Sequence, residues 1–287
     1  MNDANLVVLA AGASSRMKRS SATVTDPTLA EQAATLPKAM IGVGRSGRPL
    51  LDYLLFNALQ AGYRDVVIVV GENDRAIRAR YERIDQESSL HVLSLAFAVQ
   101  RIPEGRTKPL GTADAVLQAL RSRPEWKGER FTVCNSDNLY SRKALEALRT
   151  SGADCAMIDY DRDGLRFERS RIEKFAVLIK AGDGTLKAIV EKPAPEEHDA
   201  ARDPSGRVGV SMNIWRFRYE LVLPFLERMP LHPERNEKEL PVAVMMMIRE
   251  GVRVSTIPLS EYVPDLTSGG DITAFREYLE REYPDFR

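Results

Sequence analysis

A run of apolar residues, Leu6 to Ala11, leads directly into Gly12-Ala13-Ser14-Ser15-Arg16, and no other junction restricts the fold as tightly. A short continuous apolar run reads as a strand buried on both faces, which requires helices above and below its sheet. The next segments repeat that demand. Val66 to Val70 is a second such strand. Leu50 to Ala61 places Leu51, Leu54, Leu55, Ala58 and Leu59 on one helical face and stops at Gly62. A helix through Ile77, Tyr81 and Ile84 follows, and His91 to Gln100 alternates, with Leu93, Leu95, Phe97 and Val99 on one face. Another helix opens at Thr112, where Asp114 reads as a first-turn acid, and Phe131 to Cys134 and Ala153 to Ile158 are further strands. Strands alternating with amphipathic helices specify a layered α/β fold.

The second half changes character. Phe175 to Lys180 and Leu186 to Val190 flank Gly182-Asp183-Gly184, a hairpin signal. Pro193 to Gly206 reads as a mobile connection, and Val208 to Phe217 as one strand. Asn236 with Glu239 resembles a capping box that opens a helix through Met245-Met246-Met247, a run suited to core filling. No fixed-period repeat is present, which excludes a solenoid or propeller. The expectation is one domain over residues 1–287, its second half folded over the carboxyl edge of the first; a split near residue 160 is the alternative.

Charge removes several functions. The chain carries 41 basic and 41 acidic residues, so its net charge is zero, and neither a nucleic acid nor a membrane surface is expected as partner. Its apolar runs fall short of the ~20 residues of a membrane span. The amino terminus shows no secretion signal, so a cytoplasmic location is expected. Cys134 and Cys155 lie in apolar runs and read as buried free thiols, while His91, His198 and His232 lack metal-ligand spacing. Nothing fixes the oligomeric state, and a homo-oligomer stays open.

A loop that cradles phosphate needs small residues, so that backbone N–H groups can approach oxygens, and a cation beyond them. Gly12, Ala13, Ser14 and Ser15 meet the first need and Arg16 the second, without the Gly-Lys-Ser/Thr of a P-loop or the three glycines of a dinucleotide fingerprint. Downstream stand Leu36-Pro37-Lys38-Ala39-Met40 and Gly47-Arg48-Pro49-Leu50-Leu51. Between Arg16 and Arg48 cations exceed acids by four, and the Ser/Thr/Ala-rich residues 17–37 read as a lid or a disordered insert.

Together these segments resemble the sugar-1-phosphate nucleotidyltransferase family, whose hallmark is an Ala-Ala-Gly-x-Gly-Thr/Ser-Arg-Met/Leu loop, a Pro-Lys dipeptide and Gly-x-Pro-Leu/Met-Leu. Ser14 stands in place of the second glycine. The resemblance continues through Gln100, Leu110-Gly111-Thr112-Ala113-Asp114, Asn135-Ser136-Asp137-Asn138, Glu191-Lys192-Pro193, the strand around Asn213, and Tyr262-Val263-Pro264-Asp265. It implies a three-layer Rossmann-like, glycosyltransferase-A-like fold with a mixed, mostly parallel sheet, a nucleotide-binding half near 1–160 and a sugar-binding half near 161–287. It also implies transfer of a nucleotidyl group from a nucleoside triphosphate to a sugar-1-phosphate, with release of pyrophosphate. Arg16, Lys38 and Asp137 are the implied catalytic residues, and Asp137 and Asp265 would hold Mg²⁺. Leu9, Ala10, Ala11, Gly12, Ala13, Ser14, Ser15, Gln100, Gly111 and Thr112 would contact the nucleotide; Asn138, Glu191, Lys192 and Asn213 would contact the acceptor. A cytidylyl- or guanylyltransferase using a non-sugar phosphate and a non-catalytic nucleotide-binding regulator are the rival readings.

Overall fold

The computed structural model describes residues 3–84 and 88–286; Met1 and Asn2 of the amino terminus read above lie outside them. The chain opens with β1 (Asn5–Leu9), α1 (Ser15–Ser20), α2 (Pro27–Thr35), α3 (Leu50–Gln60), β2 (Asp65–Gly71), α4 (Ala76–Tyr81) and β3 (Ser94–Gln100). Then come α5 (Thr112–Arg121), β4 (Arg130–Asn135), α6 (Arg142–Thr150), β5 (Ala156–Asp161) and α7 (Arg169–Ile172). The remainder comprises β6 (Val177–Lys180), β7 (Leu186–Val190), α8 (Pro195–Ala200), β8 (Gly209–Val210), β9 (Ile214–Arg218), α9 (Tyr219–Arg228), α10 (Leu240–Arg249), β10 (Ser255–Leu259) and α11 (Asp271–Glu282).

Ten strands form one sheet in the order β3-β2-β1-β4-β9-β5-β8-β6-β7, with β10 beside β5. The β3-β2-β1-β4 block is parallel, as is the β5–β10 pair, whereas β9 runs antiparallel between β4 and β5. Residue alternation in the central strands explains the layers. Leu6, Val8, Val66, Ile68 and Val70 pack into one core with α3 and α6; Val7, Val67 and Val69 pack into a second with α5, α9 and α10. Strands clothed on both faces need no polar face, hence their continuous apolar sequences. The mixed, mainly parallel three-layer fold expected from the sequence is the fold found.

Four local expectations are corrected. Residues 17–37 form two helices that dock through Met17, Leu29 and Ala33, and Asp26 caps α2 by accepting from Thr28 N and Leu29 N at 2.9 and 3.2 Å. Ser20 Oγ accepts from Gly269 N at 2.8 Å, tying this segment to the approach to α11, so it is not a disordered insert. The connection 193–206 contains α8, and Val208–Phe217 is two strands, because Asn213 turns at φ 55°. Asn236 also takes positive φ (53°), and α10 begins after Glu239, whose own side chain makes no cap bond, so no capping box forms. Met247 is buried with Met246 packed against the same core, and both cysteines are buried and free.

Candidate active site

In an open α/β sheet a ligand crevice forms where successive crossovers leave one strand's carboxyl end in opposite directions. Here that point lies between β1 and β4, since β1 connects toward β2 and β3 while β4 flanks its other side. A cleft of about 520 Å³ opens there, within the range of pockets that enclose a small ligand.

The loop after β1 forms its floor. Leu9, Ala11, Gly12, Ala13, Ser14, Ser15 and Arg16 all line the cleft. Ala10, between them, turns its side chain into the core at 8 % exposure. Ser14 adopts φ 53°, a left-handed turn that starts α1. A Cβ on Gly12 would meet nothing within 4 Å. Packing therefore does not demand a glycine at that position, and the open side faces the cleft. Arg16 is exposed and makes no ion pair among the described residues.

Opposite the loop, Lys38 N donates to Ser14 Oγ at 3.3 Å, and Lys38 Nζ reaches Asp137 Oδ2 at 2.9 Å. Asp137 follows β4, whose ladder with β1 extends one step through Ser136 N to Leu9 O at 3.1 Å. Asp265, distant in sequence, arrives by a short antiparallel joint: Leu266 N donates to Asp137 O at 2.8 Å and Leu139 N to Pro264 O at 2.9 Å. Its carboxylate is held by Arg171 at 2.6 Å and by Thr267 Oγ1 at 2.8 Å. Burial first, and then the charge of Asp137, raise the Asp265 pKa, and Arg171 only partly opposes them. Two neighbouring carboxylates that repel one another form a hard-oxygen donor set suited to Mg²⁺, which completes its shell with phosphate oxygens and water. Among the described residues no third acid, histidine or cysteine joins them.

One wall of the cleft is formed by β3 and the start of α5. Gln100, Gly111 and Thr112 line the cleft, as does Ala115. Gly111 sits at φ 104°, and a Cβ there would lie 2.7 Å from Lys238 O, so the close approach that requires glycine is made by the chain itself. Thr112 begins α5 and caps a different helix, accepting from Leu240 N at 2.9 Å through Oγ1.

Glu191 and Asn213 also line the cleft, as do Trp215, Arg235, Glu237 and Glu239. Partial desolvation raises the Glu191 pKa, against the opposing charge of Arg235. Lys192, next to Glu191, is exposed at φ 48°, and Asn138 is buried, its Oδ1 accepting from the Tyr140 hydroxyl at 3.4 Å. The indole N–H of Trp215 is buried without a partner among the described residues. Sequence reasoning missed Arg235, Glu239 and Lys108 because they sit in loops without periodicity. It missed Arg171 because nothing local announces a partner nearly a hundred residues away.

Similarity to known proteins follows the same lines. The chain matches the "Nucleotidyl transferase" family model over residues 7–257. It is 25 % identical over 203 residues to glucose-1-phosphate adenylyltransferase of Corynebacterium aurimucosum, covering 70 % of this chain and 47 % of that protein. With the bifunctional protein GlmU of Geobacter metallireducens the identity is 25 % over 267 residues, covering 92 % and 47 %. The chain thus spans about half the length of these curated relatives. A solved structure of UDP-glucose pyrophosphorylase complexed with UDP-glucose superposes with a TM-score of 0.68 at 17 % identity, covering 97 % of this chain and 98 % of that one, a likeness of fold. With the family model covering residues 7–257, and so most of the chain, this chain belongs to the nucleotidyl transferase family.

Proposed function

We propose that this protein transfers a nucleotidyl group from a nucleoside triphosphate to a sugar-1-phosphate and releases pyrophosphate. One observation supports this most directly: Lys38 and Asp137, paired at 2.9 Å, face the 11–16 loop at the switch point of the sheet, with Asp265 alongside. The attacking group would be an acceptor phosphate oxygen, largely ionised at neutral pH because its second pKa is about 6. No protein base is then needed, and the residues must instead bring a dianion to a polyanion. The small-residue loop leaves room for phosphate oxygens against Gly12. Arg16 is placed to hold the leaving pyrophosphate, and Lys38 to balance charge at the α-phosphate. The P–Oα bond to pyrophosphate breaks as the new P–O bond to the acceptor forms, in line. Held by Asp137 and Asp265, Mg²⁺ would supply Lewis-acid polarisation of the phosphate oxygens.

Glu191 and Asn213, with Arg235 beside them, give the acceptor end hydrogen-bonding groups suited to sugar hydroxyls. Lys192, next to Glu191, would take the acceptor phosphate, and alkyl phosphates test the non-sugar alternative. Pyrophosphate release, measured with four nucleoside triphosphates against sugar-1-phosphates and alkyl phosphates, tests the reading. Release with one sugar-1-phosphate pair supports it. Release only with a non-sugar phosphate shifts the acceptor class, and tight nucleotide binding without release from any pair identifies a regulator.

A further inference from the structure

Gln100 and Asp114 face one another beneath the β3 and α5 wall of the cleft, and both are buried, at 3 % and 6 % exposure. Gln100 Nε2 donates to Gly111 O at 2.8 Å and to Asp114 Oδ2 at 2.9 Å. Those are both protons of the amide nitrogen. The two partners are a carbonyl and a carboxylate, which can only accept, so the amide cannot reverse without setting oxygen against oxygen. Asp114 is itself held on the other side, where Gln118 Nε2 donates to Oδ1 at 3.0 Å. Gln100 Oε1 has no protein partner among the described residues, and Gln100 lines the cleft. A buried glutamine that looks ambidextrous in sequence therefore shows the ligand one polarity.

We propose that Asp114 is a positioning residue that locks the Gln100 amide, so that the base pocket presents an oxygen acceptor and selects a nucleobase through an N–H group. This deepens the transfer reading above and rests on it. Uracil or thymine would offer the N3 imide proton, adenine the 6-amino group, cytosine the 4-amino group and guanine N1–H. In each case a base lacking that proton leaves a buried carbonyl oxygen unpaired, which costs about tenfold or more in affinity.

The test is calorimetric titration of the full chain with four pairs of triphosphates: UTP and N3-methyl-UTP, ATP and N6,N6-dimethyl-ATP, CTP and N4,N4-dimethyl-CTP, GTP and N1-methyl-GTP. The parent that binds best is expected to exceed its methylated partner by about tenfold or more. In Asp114→Asn the single amide oxygen must serve either Gln100 or Gln118, so the lock loosens and that ratio is expected to fall at least threefold, without a matching loss of thermal stability. Equal affinity for the preferred parent and its methylated analogue in the wild type overturns the proposal. So does Asp114→Asn with undiminished discrimination. If Asp114→Asn does not fold, the wild-type pairs still decide the polarity, and loss of slow exchange at the Gln100 side-chain amide in Gln118→Ala supplies the lock test; unaltered exchange there counts against it. If no triphosphate binds, the transfer reading falls and takes this proposal with it, whereas binding without discrimination removes the proposal alone.

Discussion

Replacing Lys38 by alanine removes the one cation among the described residues that pairs with Asp137, and replacing Asp137 by alanine strips Lys38 of its carboxylate. Their contact is 2.9 Å long, with the Lys38 side chain 12 % exposed and that of Asp137 30 % exposed, so screening by water is incomplete on the lysine side only. Losing one group that meets developing charge in a sheltered site costs about 10²–10³ in rate, or ~3–4 kcal/mol in barrier height. Each single variant should therefore lose that much in kcat/KM for pyrophosphate release. If the two side chains acted independently, Lys38→Ala with Asp137→Ala would lose about 10⁴–10⁶. Because they are in contact and would serve the same phosphate, the double variant is expected near the worse single. The assay is continuous pyrophosphate detection at saturating and limiting triphosphate, with far-UV circular dichroism to check folding. Turnover within tenfold of wild type in either single variant would refute the assignment. Full multiplicative loss in the double variant would refute the claim that the pair works as a unit.

Two glycines make opposite predictions. Gly12→Ala has room for its Cβ and should keep or slightly raise the denaturation midpoint, while triphosphate affinity measured by titration falls about tenfold because the methyl group enters the phosphate cradle. Gly111→Ala combines φ 104° with a 2.7 Å approach to Lys238 O and should lose about 1–3 kcal/mol in urea denaturation. Arg171→Gln removes the cation that holds Asp265, and the nucleotide-free protein should bind Mn²⁺ several-fold more tightly by electron paramagnetic resonance; unchanged affinity would show that Arg171 does not compete for that carboxylate. Glu261 is shifted upward by burial, although Ser141 Oγ donates to it at 2.7 Å. A raised acid binds protons more tightly folded than unfolded, so its contribution falls as pH rises from about 4.3 through the raised value. Glu261→Gln should therefore gain Tm relative to wild type across that window and little below it, as read by melts from pH 3.5 to 7.5.

What the sequence made visible follows from the range over which each signal acts. The β1 loop was legible because strand, small residues and cation are consecutive, and the helix Leu50–Gln60 because its apolar face repeats within eleven residues. The pairing of Asp137 with Asp265 came only through family resemblance, since the joint through Leu139 and Leu266 is tertiary. Residues 17–37 hid their order because the apolar contacts are sparse: Met17, Leu29 and Ala33 are too few to stand out in a Ser/Thr/Ala background. Asp114 looked like an ordinary first-turn acid, and its position on α5 is indeed that. Its burial against Gln100, brought by another strand, is what changes its chemistry.

The same distinction governs charge. A chain of balanced composition places Lys38 against Asp137 and Arg171 against Asp265, so that two adjacent carboxylates share a protein interior in which burial alone would drive one toward protonation. Burial first, and then the charge of Asp137, keep Asp265 shifted upward even with Arg171 only 2.6 Å away. The arrangement is therefore short of positive charge at the carboxylates, while Arg16 lines the cleft without a counter-ion among the described residues. A ligand that brings a divalent cation together with a polyphosphate chain satisfies both deficits at once; either component alone satisfies one and leaves the other. The electrostatics thus favour joint entry of metal and nucleotide, and the affinity for each should rise when the other is present.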